Sequence, residues 1–171
     1  MSFTGKIDFN TSEPVIDVDA DINKANLAYF GLDTGQSTVS GKINSDLKGN
    51  SIDNLVGHLD ISQLVINKSG KTYLIENTQL VAEKESNYRN ITLHSDVADV
   101  SIIGDFSIGR LPLSINNFLW NLSPDYFKYQ NLKTNQVMDF EIKIKKPELL
   151  LSYLPNDIVF SPIQLSGKYN S

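Results

Sequence analysis

Three carboxylates at alternating positions are the most obvious candidates for chemistry. The segment Asp17-Val18-Asp19-Ala20-Asp21 offers the oxygen ligands that calcium prefers. In a strand, however, residues two apart lie about 6.6 Å from each other on one face, too far for all three to share one ion without a loop. The chain also lacks the glycine and closing glutamate of an EF-hand at the required spacing. We therefore interpret these carboxylates as the solvated face of a strand.

The sequence also lacks the residue patterns that are typical of catalytic sites. His58 and His94 stand among polar strand positions, without a second His or an Asp-x-Ser pattern at the spacing of a triad or metal site. No Gly-x-Ser-x-Gly elbow occurs, and the segment from Gly31 to Gly35 lacks the pattern of a phosphate-binding loop. The sequence therefore predicts no enzyme, no metal site and no cofactor. A hydrolase whose two carboxylates meet only in space stays open as a minor alternative.

Composition and charge narrow the class of partner. The chain has 171 residues, of which 40% are hydrophobic and 20% charged, and it has no cysteine. This composition is typical of a globular domain, and it excludes disulfides, Cys nucleophiles and thiolate metal sites. A net charge of -5 argues against nucleic acid and against electrostatic docking on an anionic membrane. The only basic run, 143–146, alternates with apolar residues and is interpreted as the solvated face of a strand.

Alternation of apolar and polar residues with period two dominates the chain. This pattern predicts antiparallel strands with one apolar face and one wet face. The predicted strands are Phe3–Phe9, Ile16–Ile22, Val39–Leu47, Gly57–Ile61, Ile91–Val97, Val100–Ile108, Met138–Ile144 and Ile163–Tyr169. Polar runs at 67–71 and 83–90 predict turns. Three segments with helical spacing, 23–30, 111–122 and 147–154, predict short helices that cap or plug a sheet.

Five glycines recur inside these strands, each on the apolar face. They are Gly5, Gly41, Gly57, Gly104 and Gly167. Glycine weakens a strand unless the sheet bends or another group approaches closely, so the repetition predicts a strongly curved sheet. Five unrelated glycines are the alternative. The repetition of small β units also suggests a longer array, so residues 1–171 form one β-rich domain or a fragment of such an array.

The apolar face itself is the candidate site. Its side chains could fill the core of a β-sandwich or line an open groove, and periodicity alone does not separate the two. The predicted groove-lining residues are Ile7, Phe9, Ile43, Leu59, Ile61, Leu93, Phe106, Ile108, Phe140 and Ile142.

The order of the segments along the chain is a further pattern. Gly-x-apolar strands recur, Asp-x-Asp residues lead into 23–27 and Phe30-Gly31-Leu32, and a Gly-Lys-Ile strand follows. After 103–108 comes the amphipathic segment 111–122. Over about residues 3 to 169, this order resembles the translocation and assembly module family called TamB, within the AsmA-like group, in its Bacteroidetes-type form. The resemblance lies in patterning and segment order, with no catalytic signature.

The resemblance implies a location and a function. The chain would be an internal fragment of a long periplasmic protein that is anchored in the inner membrane. Such proteins form a curved β groove, the β-taco, which is implicated in moving phospholipid towards the outer membrane. The implied partners are phospholipid or another acyl-chain ligand and, through other parts of the full-length protein, an Omp85-type outer-membrane barrel. The alternative is a non-enzymatic structural or adhesion module with a β-sandwich fold.

Overall fold

A computed structural model describes residues 2–8, 13–30, 37–68, 70–131, 135–148 and 161–170. Within these ranges the chain forms nine strands, one complete α-helix and three short 3-10 turns, and residues 147 and 148 are also helical. The strands are β1 (Ser2–Asp8), β2 (Val15–Asn26), β3 (Thr38–Lys48), β4 (Val56–Lys68), β5 (Lys71–Glu85), β6 (Tyr88–Ser95), β7 (Ala98–Asp105), β8 (Val137–Ile144) and β9 (Ile163–Asn170). The helix α1 spans Leu111–Leu122, and the 3-10 turns span Leu27–Phe30, Ile52–Asn54 and Ile108–Arg110.

The nine strands form one antiparallel sheet in which every strand pairs with its neighbours in sequence, from β1 to β9. The sheet is curved and open, as predicted. The alternative β-sandwich is wrong for the described residues, because no second sheet among them faces the first. Only two residues separate β4 from β5, β5 from β6 and β6 from β7, the spacing of tight hairpins, whereas 31 residues that include α1 separate β7 from β8.

Several bounds of the predicted elements differ from the structure. Residues 23–26 continue β2 and only 27–30 turn, because Ala25 and Asn26 still pair with β3. The predicted strand 100–108 ends at Asp105, where the chain leaves the sheet. The predicted turn at 83–90 shrinks to Ser86 and Asn87. The predicted helix at 147–154 extends beyond the described residues, whereas the helix at 111–122 is confirmed.

The strand register places the alternating apolar residues of neighbouring strands on the same side of the sheet. We call this side the inner face. Residues opposite each other in an antiparallel pair share a face. Starting from Val100, pairing leads to Leu93, Leu80 and Leu59 on one side and to Ile142 and Leu165 on the other. All five strand glycines of the sequence pattern lie on this face, as predicted.

A line of irregularities bends the sheet. One extra residue enters β2 between Ile22 and Ala25, and the register between β3 and β4 shifts between Ser40 and Lys42. On β5, Glu76 and Asn77 are both exposed, so alternation breaks there. Their backbone N–H groups donate to the Asp96 carboxylate at 2.9 and 3.1 Å. Bulges increase local twist and bending, so these positions curve the sheet across several strands.

Two glycines allow neighbouring strands to approach closely at the strand ends away from these bulges. Gly57 has φ +123° and Gly104 has φ +152°, a region that other residues rarely adopt. A Cβ at Gly57 would collide with the carbonyl oxygen of Asp46, and one at Gly104 with that of Val137. Glycine is therefore required at both positions for conformational and steric reasons.

Replacing Gly104 by alanine should lower the free energy of unfolding by about 1–3 kcal/mol, because the new Cβ combines a strained φ with contact to the β8 backbone. The measurement is the urea concentration at the midpoint of unfolding, monitored by circular dichroism. Gly109→Ala is the matched control, since a Cβ there meets only ordinary contacts at 3.7 Å or more. Equal midpoints for the two variants would contradict the steric role of Gly104.

Candidate functional site

Two continuous rows of apolar side chains cross the inner face perpendicular to the strands. The first row, from β4 to β9, consists only of branched aliphatic residues: Leu59, Leu80, Leu93, Val100, Ile142 and Leu165. The second row, from β2 to β9, has no polar side chain: Ile16, Leu47, Gly57, Ala82, Ile91, Ile102, Phe140 and Gly167. The first row extends about 24 Å and the second about 34 Å, because neighbouring strands lie about 4.8 Å apart.

These side chains are only half-buried. Every member of the first row keeps intermediate exposure, and so do the members of the second row apart from the buried Ala82. In a sandwich core the facing sheet would remove such side chains from water. The inner face of this single-layer sheet is therefore an apolar surface that stays partly exposed to solvent.

The opposite, outer face is polar at the same height. Residues that neighbour the first row in sequence form a row in which every side chain is polar: Thr4, Asp19, Asn44, Asp60, Gln79, His94, Asp99, Lys143 and Gln164. His58 and His94 are exposed, as predicted, and His94 Nδ1 lies 3.3 Å from Asp99 Oδ1. Asp17 and Asp19 are also exposed, and no metal-binding cluster occurs among the described residues. The two faces thus differ sharply in polarity.

One side of the groove is covered near β7 to β9 by α1 and the turn before it. Phe106, Met138 and Tyr169 form a buried cluster there, and Phe118 of α1 packs edge-on against Phe140 with ring centroids 5.5 Å apart. Beyond the bend, Ile66, Ile75 and Val97 form a second buried cluster. The inner face is therefore closed at two places and half-open between them.

A hydrogen-bonded latch built around the Asp53 carboxylate holds the covering segment in place. The Asp53 carboxylate accepts hydrogen bonds from the Ser107 hydroxyl at 2.8 Å and from the backbone N–H of Ile108 at 2.6 Å. Arg89, which is 6% exposed on the inner face, donates through Nε to the carbonyl of Phe106 at 2.8 Å. The latch joins the connection after β3 to the connection after β7, across the inner face. We infer that the apolar face is the concave one.

The latch shifts the ionisation of Asp53. Burial of the carboxyl by itself would raise its pKa. Hydrogen bonds from Ser107, Gly109 and Ile108, together with the positive charge of Arg89, outweigh burial and hold the pKa of Asp53 below its usual range. Ionised Asp53 therefore stabilises the folded state above the pKa that this group has in the unfolded chain, and this contribution is lost as the pH falls through the lower folded pKa.

The predicted lining residues separate into three groups. Ile43, Leu59, Ile61, Leu93, Phe140 and Ile142 all lie half-buried on the inner face. Phe106 and Ile108 were predicted to lie in a strand, but β7 ends before them: Phe106 is 3% exposed in the buried cluster, and Ile108 packs against that cluster. Ile7 lies in β1 opposite Ile16, and Phe9 lies outside the described residues.

Sequence reasoning missed two features of the site. Leu80 was missed because alternation breaks at Glu76 and Asn77, so the pattern does not show that Ile75 and Leu80 lie on the same face. The alternation that resumes from Thr78 to Ala82 could have identified Leu80. The latch was also missed, because Asp53 and Ser107 are 54 positions apart and no local pattern connects them.

The variant Asp53→Asn should unfold at lower urea concentration at pH 7, by about 1–2 kcal/mol, because charge-assisted hydrogen bonds are lost. It should also show a weaker fall in stability between neutral and acid pH than the unmodified protein. The measurement is the urea midpoint as a function of pH, followed by the fluorescence of Trp120 on α1. Asp125→Asn, an exposed position, is the control. Parallel pH profiles for Asp53→Asn and the unmodified chain would contradict the latch.

Comparison with known proteins adds no relative. No family model, no curated protein and no solved structure matches the chain significantly. Within the part of the chain that the structure describes, no helix is long and apolar enough to span a membrane. Membership of the translocation and assembly module family therefore stays a prediction.

Proposed function

We propose that this chain is a segment of a lipid conduit, in which the concave inner face shields acyl chains from water. The observation that carries the proposal is the pair of apolar rows that cross the sheet while staying half-exposed. Removing an acyl chain from water along such a row contributes about 0.8 kcal/mol for each buried methylene group. The exposed apolar face and the acyl chain would thus shield each other.

The distribution of polar groups favours movement of the ligand along the groove. The first apolar row carries no charge from Leu59 to Leu165, so a chain lying on it meets no fixed anchoring point. Dispersion and hydrophobic contacts are non-directional, and neighbouring positions in the row offer similar contacts. A ligand held in this way could slide from strand to strand with small barriers.

The wider setting of the proposal follows from the family resemblance. We propose that the segment works in the periplasm, as part of an inner-membrane-anchored protein that delivers phospholipid towards the outer membrane. Contact with an Omp85-type barrel would be made by other parts of such a protein. The proposal requires no catalytic step, since transport along the groove forms and breaks no covalent bond.

Purification from cells followed by native mass spectrometry tests the proposal directly. We expect a population of protein with added mass that matches phospholipid, and lipid extraction of the same sample should release that phospholipid. The folded protein should also take up phospholipid from vesicles. A purely apo mass combined with no uptake from vesicles would overturn the conduit function.

The face that contacts lipid can be identified with adjacent crosslinker positions. A photoreactive phenylalanine analogue at Leu80, on the inner face, should crosslink phospholipid at least about tenfold more than the same analogue at Gln79. Gln79 is the matched control, because it precedes Leu80 on β5 but is exposed on the outer face. The measurement is the yield of lipid adduct by mass spectrometry, with circular dichroism as a check of folding. Equal yields would contradict the assignment of the inner face.

A further inference from the structure

The helix α1 is anchored at both ends, so it forms a fixed wall over the sheet. At its beginning, the 108–110 turn is held by the Asp53 carboxylate. Near its end, the Asn117 side chain makes two hydrogen bonds with the backbone of Gln130, donating to its carbonyl at 2.7 Å and accepting from its N–H at 2.9 Å. A helix held in this way keeps a defined distance from the strands beneath it.

A cavity of about 80 Å³ lies between α1 and the inner face of β7 to β9. No polar atom contributes to its wall. The hydroxyl of Ser114, which lines the cavity, is bonded within the helix to the carbonyl of Arg110 at 3.3 Å. The other principal lining residues are Ile102, Phe118, Met138, Phe140 and Leu165. The cavity thus has the chemistry of a hydrocarbon-binding site.

The size and lining of the cavity restrict what it can hold. An apolar cavity offers water no hydrogen-bond partners, and its lining atoms lose contacts as long as nothing fills it. An engineered cavity of about 150 Å³ in another protein holds one benzene molecule. About half that volume has room for a few carbons in a line, which is the end of one alkyl chain, but not for a ring system or for two chains.

The cavity is continuous with the groove. Leu165 and Ile142 line the cavity and also belong to the first apolar row, and Ile102 and Phe140 belong to the second. On α1, Ile115 lines the cavity and is also 47% exposed to solvent. A chain that lies along the row can therefore enter the cavity without crossing a polar surface.

We propose that the cavity beneath α1 is a terminal site for a single alkyl chain: its methyl end inserts between α1 and the strands β7 to β9, while the remaining methylenes lie along the first apolar row. This inference rests on the proposed conduit function and adds a defined end position and a direction for the ligand. The head group then lies away from α1, towards the strands earlier in the sheet.

Photoreactive palmitate tests the orientation of the chain. One probe carries a diazirine beside the terminal methyl group and the other carries it beside the carboxylate. We expect the methyl-end probe to label α1 and Met138, and the carboxylate-end probe to label other inner-face residues, when adducts are mapped by mass spectrometry. If both probes label the inner face of β4 to β6 alike and neither labels α1, the terminal site is overturned while the conduit function stands. If neither probe labels the inner face, both proposals fail.

A pair of variants on α1 tests entry into the cavity. Ile115→Trp adds bulk at the exposed mouth of the cavity, whereas Asn121→Trp adds the same side chain at an exposed position of α1 that does not line the cavity. We expect Ile115→Trp to weaken palmitate binding at least about tenfold, since each methylene that loses burial costs about fourfold in affinity. The labelling of Met138 should fall with it, and Asn121→Trp should leave both unchanged. Undiminished labelling of Met138 in a folded Ile115→Trp variant would overturn the proposal.

Discussion

The alignment of one apolar face across nine strands is the constraint on which the rest of the structure depends. Antiparallel pairing places directly opposed residues on the same face, so the apolar rows exist only if every register is correct. A slip of one residue in any strand would turn its apolar set to the polar side and interrupt both rows. The bulges show how the constraint is met where the sheet bends. On β5, two consecutive exposed residues restore Ile75 and Leu80 to the same face, and the Asp96 carboxylate satisfies the two N–H groups that the break frees.

A single-layer sheet with a half-exposed apolar face buries few side chains, and its stability has to come from elsewhere. Among the described residues, two small clusters around Ile75 and Phe106 supply the fully buried contacts. Polar interactions then tie distant connections together. Asp53 joins the turn after β3 to the turn after β7, and Lys84, opposite Arg89 in the register, donates to Asn54 at 2.6 Å. Arg89 and Lys84 are directly opposed like charges, which repel each other; the Asp53 carboxylate attracts Arg89, and the neutral Asn54 amide oxygen accepts a hydrogen bond from Lys84.

The same features that limit the core are those on which the proposed binding of a long apolar ligand rests. Gly57 and Gly104 let neighbouring strands approach closely, and the open middle of the face presents aliphatic side chains without charged groups among them. The helix α1 covers only the β7 to β9 part of this surface. The groove is thus proposed to pass from an open stretch, where a ligand slides, to a covered stretch, where the end of a chain is held.

The sequence by itself determined the class of the fold and most of the face. Period-two alternation predicted eight of the nine described strands and missed β5, the five inner-face glycines indicated curvature, and the spacing of 111–122 predicted α1. These features are local, because each can be recognised within about ten residues of one strand or helix. Whether the apolar face was a closed core or an open groove was decided only by the tertiary structure, because half-burial depends on what lies opposite a strand. The latch between Asp53 and Ser107, the burial of Phe106 and the cavity beneath α1 were likewise decided there, since each depends on segments far apart in sequence that only the curvature of the sheet brings into contact.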